Sequence, residues 1–324
     1  MKRVSRSQLE EYADSWDAAL RRDPAVDPHC SGSAWQLAYH DAFAPDRALW
    51  LAHEGADLVV LAERAGGPTG VMLEPLESMW GFASPLIGEG AARLLARALQ
   101  DRPASLLLLG LSLDRQRLAP LVKALSGRYA ARALPPTTRR VASLAGGVDG
   151  WLARRRASFR RNLRAAVRRV ESAGIAFRYW TSVEKGELDT LYARVLEIEG
   201  QTWKAANDNA ADRDPMRSFY AGMWPRLAAR GELRVLLAEH EGRPVGYVHG
   251  GVRGVHYRGL QVSIDDAMRP LSLGNVLQLE MIRRLCDEGV QGYDLGAQNE
   301  YKTRWAEPGL TTFGLLLQPL SATG

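Results

Sequence analysis

Residues 233–295 constrain the fold more than any other stretch of this chain. Three strand-length runs, 233–239, 244–252 and 256–264, are rich in Val, Leu and Tyr and are separated only by the turn signals Glu241-Gly242-Arg243 and Arg253-Gly254. Runs so closely spaced predict an antiparallel meander. A basic turn, an amphipathic helix over 274–288 and a short strand over 292–295 follow. Elsewhere the same periodicity argument predicts helices over 7–22, 33–43, 89–100, 118–129, 183–202 and 215–230, and strands over 48–53, 58–64, 71–75, 106–111, 175–181 and 311–318. The class is α/β (α+β), a mixed central sheet flanked by helices.

A chain of 324 residues exceeds what one core usually fills, so two domains are expected. Leu134-Pro135-Pro136-Thr137-Thr138 reads as a turn and linker, and Ala145-Gly146-Gly147 marks a boundary, which divides the chain into 1–145 and 146–324. Two segments from opposite halves align without a gap. Residues 84–109 and 269–295 each contain a Pro-Leu loop, a helix of about four turns and a short strand, as copies of one unit would.

Composition excludes several classes. With 46% hydrophobic and 24% charged residues, the chain is neither disordered nor fibrous. The N-terminus lacks the apolar core of a signal peptide, and runs such as 106–109 are far too short to span a bilayer, so a cytoplasmic protein is expected. Cys30 and Cys286 are widely separated, and the six histidines form no ligand pattern with them, which argues against a disulfide framework or a metal site. The net charge of +5 favours anionic partners. Much of it lies in a helix expected over 151–173, ended by Gly174, where eight arginines from Arg154 to Arg169 have almost no balancing acid. Such a run is a solvated face or an attractor of phosphate and anionic membrane surfaces. Met79-Trp80-Gly81-Phe82 could line an apolar channel or simply pack.

The turn before the 274–288 helix carries the chemistry. Arg269-Pro270-Leu271-Ser272-Leu273-Gly274-Asn275 puts a basic residue and small residues at a helix N-terminus, where unpartnered N–H groups and the helix dipole favour a pyrophosphate. The pattern at Arg269, Ser272 and Gly274 resembles the Arg/Gln-x-x-Gly-x-Gly/Ala loop of GNAT acetyltransferases, with Ser272 where that family usually has Gly. Arg160-Arg161-Asn162-Leu163-Arg164, Thr202-Trp203-Lys204, Tyr293-Asp294-Leu295-Gly296 and Tyr301-Lys302-Thr303-Arg304-Trp305 resemble, in order, the marks of the FemAB-like branch. That branch pairs a degenerate GNAT-like domain with an active one. The resemblance therefore implies tandem GNAT-like domains, degenerate over 1–145 and catalytic over 146–324.

The resemblance also implies an N-acyltransferase that moves an acyl group from acyl-CoA to a primary amine by direct attack. Strands 256–264 and 292–295 would splay, the pantetheine arm would enter between them, and a backbone N–H near Val262 to Ile264 would face the thioester. An amine arrives protonated, so a base is required. Asp294 is the first candidate and His249 the second, with Tyr301 as donor to the departing thiolate. Each has a plainer reading: a turn cap, a satisfied strand histidine and a buried hydroxyl. Asn275 completes the CoA loop, and Asn162, Trp203, Lys204 and Lys302 are expected at the acceptor. Bacterial ceramide synthases resemble this chain in carrying the same domain, so a long-chain base at the inner membrane face is one acceptor. A FemAB-like transferase using aminoacyl-tRNA and a nucleic-acid-binding module built on the arginine helix are the alternatives, although no nucleic-acid-reading motif is present.

Overall fold

The computed structural model describes residues 1–66, 70–101, 103–202 and 212–320. The chain divides into two compact units, one formed by Met1–Thr138 and the segment from Thr311, the other by Arg139–Leu310. The expected division near residue 146 thus differs from the observed one in two ways: it falls several residues later, and the return of the C-terminal strand to the first unit has no counterpart in it.

In the first unit β1 (Lys2–Val4), α1 (Arg6–Glu11), α2 (Ala13–Arg21) and α3 (Ser33–Phe43) precede β2 (Leu49–Glu54), β3 (Asp57–Ala65), β4 (Val71–Glu74) and β5 (Leu86–Ile87). There follow α4 (Ala91–Asp101), β6 (Ser105–Ser112), α5 (Arg115–Leu125) and β7 (Tyr129–Ala133). The helix expected over 7–22 is interrupted at Tyr12, and the tail of the helix expected over 118–129 gives way to β7. The sheet order is β1-β2-β3-β4-β6. β4 and β6 are parallel, and only Met72 and Leu73 are in register with β6. Beyond that point Phe82 and Ala83 press on Gly110, where the left-handed φ of +61° and the missing side chain admit their backbone. In the same turn Glu77 is wholly buried and accepts from the Trp80 N–H at 2.5 Å. Trp80 packs on Trp35, Tyr39 and Phe43, so the 79–82 run serves packing in this unit.

The second unit comprises the end of β8 (Thr137–Ser143), α6 (Gly147–Ala153), α7 (Ala157–Ser172), β9 (Ala176–Trp180), α8 (Lys185–Glu199) and α9 (Met216–Ala229). It continues with β10 (Leu233–His240), β11 (Arg243–Arg253), β12 (His256–Ile264), a short 3-10 turn (Asp266–Leu271), α10 (Leu273–Asp287), β13 (Gly292–Ala297), α11 (Glu300–Thr303) and the start of β14 (Glu307–Pro319). The order is β8-β13-β12-β11-β10-β9; the β10-β11-β12 meander is antiparallel as its turns predict, and β13 joins β12 in parallel. α10 buries Leu273, Val276, Leu277, Met281, Ile282 and Leu285, three and four residues apart, and α7 buries Leu163, Ala166 and Val170 into the same core. Truncating Leu277 to Ala would cost about 2–5 kcal/mol.

Two expectations fail here for identifiable reasons. β8 occupies residues read as a linker, because its Arg139 is charged yet buried by an ion pair that local pattern cannot reveal. The basic helix is two helices, broken at Arg154–Arg156. Arg155 turns inward there, ion-paired with Glu307 and stacked over Trp151, and leaves the solvated set. Cys30 is buried and Cys286 half-buried, both as free thiols.

Candidate active site

The site begins where two strands part. β12 and β13 are in register only from His256↔Gly292 to Arg258↔Asp294, while β12 runs on to Ile264 and β13 to Ala297. Two features hold the apex. Tyr293 lies beside Gly259, where a Cβ would come within 2.7 Å of its ring. On the opposite face Arg258 Nη1 lies 2.8 Å from Asp294 Oδ2, joined by Arg139 Nη1 at 3.4 Å and by the Gly296 N–H at 2.7 Å to Oδ1. Past the apex a bulge at Leu260 shifts β12, since His249 pairs with Gln261 and Gly250 with Gly259. The Asp265 N–H donates to Val245 on the β11 side, so strand alternation turns the N–H groups of Val262 and Ile264 toward the parting.

The loop into α10 stands at the mouth of this parting. Ser272 adopts the left-handed conformation (φ 58°, ψ 37°), which glycine takes freely and which costs another residue about 1–2 kcal/mol. This accounts for glycine in the family's loop at that position. Here the hydroxyl gains a bond in exchange, accepting from Arg169 at 3.2 Å. A Cβ on Gly274 would meet only Ile264 Cγ2 at 3.9 Å, so the protein itself leaves that position open. Arg269 is half exposed and paired with Asp266 at 3.0 Å.

Val262, Ser263, Ile264, Arg269, Ser272, Gly274, Asn275, Tyr301 and Thr202 enclose a cavity of about 350 Å³. The Tyr301 hydroxyl donates to Asn275 Oδ1 at 3.2 Å and divides it from a second cavity of about 470 Å³ beneath Phe159, Asn162, Arg169 and Trp305. A third, of about 610 Å³, adjoins at Asn162 and Arg304 and is walled by Arg154, Arg155 and Arg156. The sequence-predicted Arg269, Ser272, Gly274, Asn275, Val262, Ile264 and Tyr301 therefore meet at one cavity, with Asn162 in its neighbours. Trp203 and Lys204 lie outside the described residues.

The three proton-handling candidates occupy different settings. Burial alone would raise the Asp294 pKa, but the charges of Arg258 and Arg139 outweigh it and hold the carboxyl below its ordinary value. Arg139, lowered by burial to about 10, stays charged at neutral pH. Asp294 is thus an anion clamped between two cations, a poor acceptor for an amine's proton. His249 is fully buried between Tyr220, Trp224 and Tyr247, accepts at Nδ1 from Trp224 Nε1 at 3.3 Å and is pushed down to about 3 by burial. It is neutral and away from the cavity walls. Lys302 donates to the Ala297 carbonyl at 3.1 Å, and burial, then the charge of Arg258, lowers its pKa.

Sequence reasoning missed Arg139, Arg258 and a fully buried carboxylate, Glu199, which accepts from the Tyr247 hydroxyl at 2.6 Å. Their partners are too distant in sequence for spacing to reveal them. Among the described residues no group of three or more His, Cys, Asp or Glu is placed to hold a metal ion, and no helix is long and apolar enough to cross a membrane.

This geometry has known counterparts. Residues 157–303 match the family model for an acetyltransferase (GNAT) domain, somewhat less than half of the chain. No curated protein sequence matches it. Among solved structures, FemX is 12% identical with a TM-score of 0.63, over 99% of this chain and 98% of that one. L-PGS from Bacillus licheniformis is 11% identical with a TM-score of 0.58, over 94% and 90%. A conserved protein from Bacteroides thetaiotaomicron VPI-5482 is 10% identical with a TM-score of 0.64, over 98% of each. The chain thus carries a GNAT-like fold over residues 157–303. Within that fold class it is related in architecture to FemX and L-PGS.

Proposed function

We propose that the chain is an acyl-CoA-dependent N-acyltransferase. The observation that carries this reading is the parting of β12 from β13 beyond Arg258↔Asp294, with the first turn of α10 lining the same cavity. The N–H groups of that turn and Arg269 would take the pyrophosphate, and the β12 edge at Val262 and Ile264 would take the pantetheine amides. The thioester supplies an activated carbonyl and a thiolate leaving group. The residues around it hold both reactants together and aim donors at the developing oxyanion. Tyr301, bonded at the rim to Asn275, is the group from which the leaving sulfur would take a proton. Asp294 pins the parting rather than acting as the base, and residues 1–145 serve as the degenerate GNAT-like domain.

The acceptor is a primary amine, and a long-chain base giving a ceramide-like product is the narrower proposal. Its support is the exposed row Arg161, Arg164, Arg168 and Arg169 on α7, which suits a cytoplasmic enzyme meeting an anionic inner membrane face. Calorimetry with CoA tests the donor half: Gly274→Val should abolish binding by filling the open position, and Arg269→Ala should weaken it. Unchanged affinity in both would place the pyrophosphate elsewhere. Lipid mass spectrometry after deletion and overexpression tests the acceptor. One observation favours a second reading, an aminoacyl-tRNA donor. The cavity series extends past the CoA loop to Arg154, Arg156 and Arg304, with Glu300 paired to Arg304, a longer polar wall than a single pyrophosphate needs. Turnover with aminoacyl-tRNA and none with acyl-CoA would establish it.

A further inference from the structure

The reaction needs a proton acceptor, and neither Asp294 nor His249 is free to be one. A third carboxylate remains. Glu199 closes α8 and is completely buried, a costly position for a charge unless its bonds offset the loss of water. The Thr202 hydroxyl donates to the Glu199 backbone carbonyl at 3.0 Å, and Thr202 itself lies on the wall of the 350 Å³ cavity. Tyr247 on β11 donates to Glu199 Oε1 at 2.6 Å. In the β11-β12 ladder Tyr247 is opposite Ser263, so both side chains leave the sheet on one face. The Ser263 hydroxyl is thereby set beside the Tyr247 phenol, and Ser263 also lines the cavity. Three groups on three elements therefore join the cavity wall to a buried carboxylate.

Resting on the acyltransferase reading, we propose that Ser263, Tyr247 and Glu199 form a proton relay, with Glu199 the terminal base for the acceptor ammonium. One ammonium proton passes to Ser263 Oγ as the Ser263 proton passes to Tyr247 and the Tyr247 proton to Glu199 Oε1. The amine is left neutral and Glu199 protonated. The amine nitrogen then bonds to the thioester carbon and the C–S bond breaks. The thiolate takes the Tyr301 proton and leaves as free thiol, the second nitrogen proton restores the Tyr301 hydroxyl, and Glu199 returns its proton to solvent along the same path. Burial and the Glu199 charge hold the Tyr247 phenol well above its ordinary pKa, so tyrosine passes a proton on but does not store the charge. The bulge at Leu260 aids the arrangement by changing which β12 side chains share the Tyr247 face, from Arg258 before it to Gln261 and Ser263 after it.

The test uses the full chain with acetyl-CoA as donor and hexylamine as acceptor, followed by thiol release. Glu199→Gln keeps an acceptor for the Tyr247 hydroxyl but cannot take a proton, and Tyr247→Phe keeps the ring. Ser263→Ala is a small change at the cavity wall and keeps the test valid if a buried replacement fails to fold. Each should lower kcat by about 10²-fold at neutral pH, with the KM for acetyl-CoA held within about threefold. The losses should shrink as pH approaches the amine's own pKa, roughly 10 for a primary amine. A purely structural defect would not recover in that way. The neighbouring groups do not supply such a profile: burial lowers His249 to about 3, burial raises Tyr192 and Tyr220, and the Arg258 guanidinium keeps its charge. The double variant Glu199→Gln/Tyr247→Phe should be no slower than either single one, as for residues acting as a unit. Wild-type kcat in folded Ser263→Ala or Glu199→Gln, or losses that add, would overturn the relay alone. Absence of amine-dependent thiol release from the unaltered protein would overturn the acyltransferase reading and the relay together.

Discussion

Replacing Asp294 by Asn separates a clamp from a base. Asp294 is mostly buried, and its ionised carboxylate faces two arginines, Arg258 and Arg139, whose side chains are 5% and 2% exposed. An amide of the same shape keeps one hydrogen bond but removes the negative charge that both guanidinium groups share. Breaking one buried pair costs about 3–5 kcal/mol, and two cations share this anion, so Asp294→Asn should sit at the upper end. That is a large fraction of a domain's typical stability of about 5–15 kcal/mol. The pH dependence has a definite sign. The Asp294 pKa is lowered in the folded protein, so its contribution is complete above the unfolded-state value of about 3.9 and is lost as pH falls through the folded value. Urea midpoints of the wild type and variant should therefore differ widely at pH 7 and converge in acid. The parting of β12 and β13 is anchored by the same carboxylate, so kcat should fall as well and should not recover at high pH. If Asp294→Asn stays within about 1 kcal/mol of wild type while losing kcat and regaining it at high pH, Asp294 is the base and the clamp reading is wrong.

Two further outcomes follow from the site. Turnover should survive chelators, because direct aminolysis on this frame calls on no ligand set; loss with EDTA and recovery with one divalent ion would refute this. Binding to anionic vesicles should weaken as salt screens the α7 arginines, within a Debye length of about 10 Å at 0.1 M, and equal recovery on neutral and anionic vesicles would remove the support for a lipid acceptor.

The parts of this molecule legible in the sequence are those whose causes are local. The β10-β11-β12 meander announces itself because each turn is written in Gly and Arg between apolar runs, and the loop into α10 because proline, serine and glycine report backbone needs directly. The single helix expected over 151–173 erred for a local reason too: eight arginines hid the break at Arg154–Arg156, since nothing in the run shows that Arg155 points inward. The two halves do share a loop, a helix and a strand that returns parallel to an earlier one, β4 with β6 and β12 with β13. In the first unit, however, Phe82 and Ala83 pack against Gly110 beyond the paired residues, a difference carried by the 75–85 turn, which the aligned segments barely include.

The chemistry was less legible than the cradle for a physical reason. A pyrophosphate loop is made by consecutive residues, but a proton acceptor is defined by what surrounds it. Asp294 and Arg139 are 155 residues apart, and Glu199 and Tyr247 are 48 apart. In sequence Asp294, His249 and Glu199 are three equivalent titratable positions. Folding makes them different: two arginines fix the first as an anion, aromatic burial fixes the second as a neutral ring, and only the third is joined to the cavity by hydroxyl groups that can each accept one proton while giving up another. The identity of the base is therefore a property of the β11-β12 register and of the turn that ends α8. Shifting that register by one residue would turn Ser263 to the opposite face and remove the cavity's connection to Glu199 without changing a single ionisable residue.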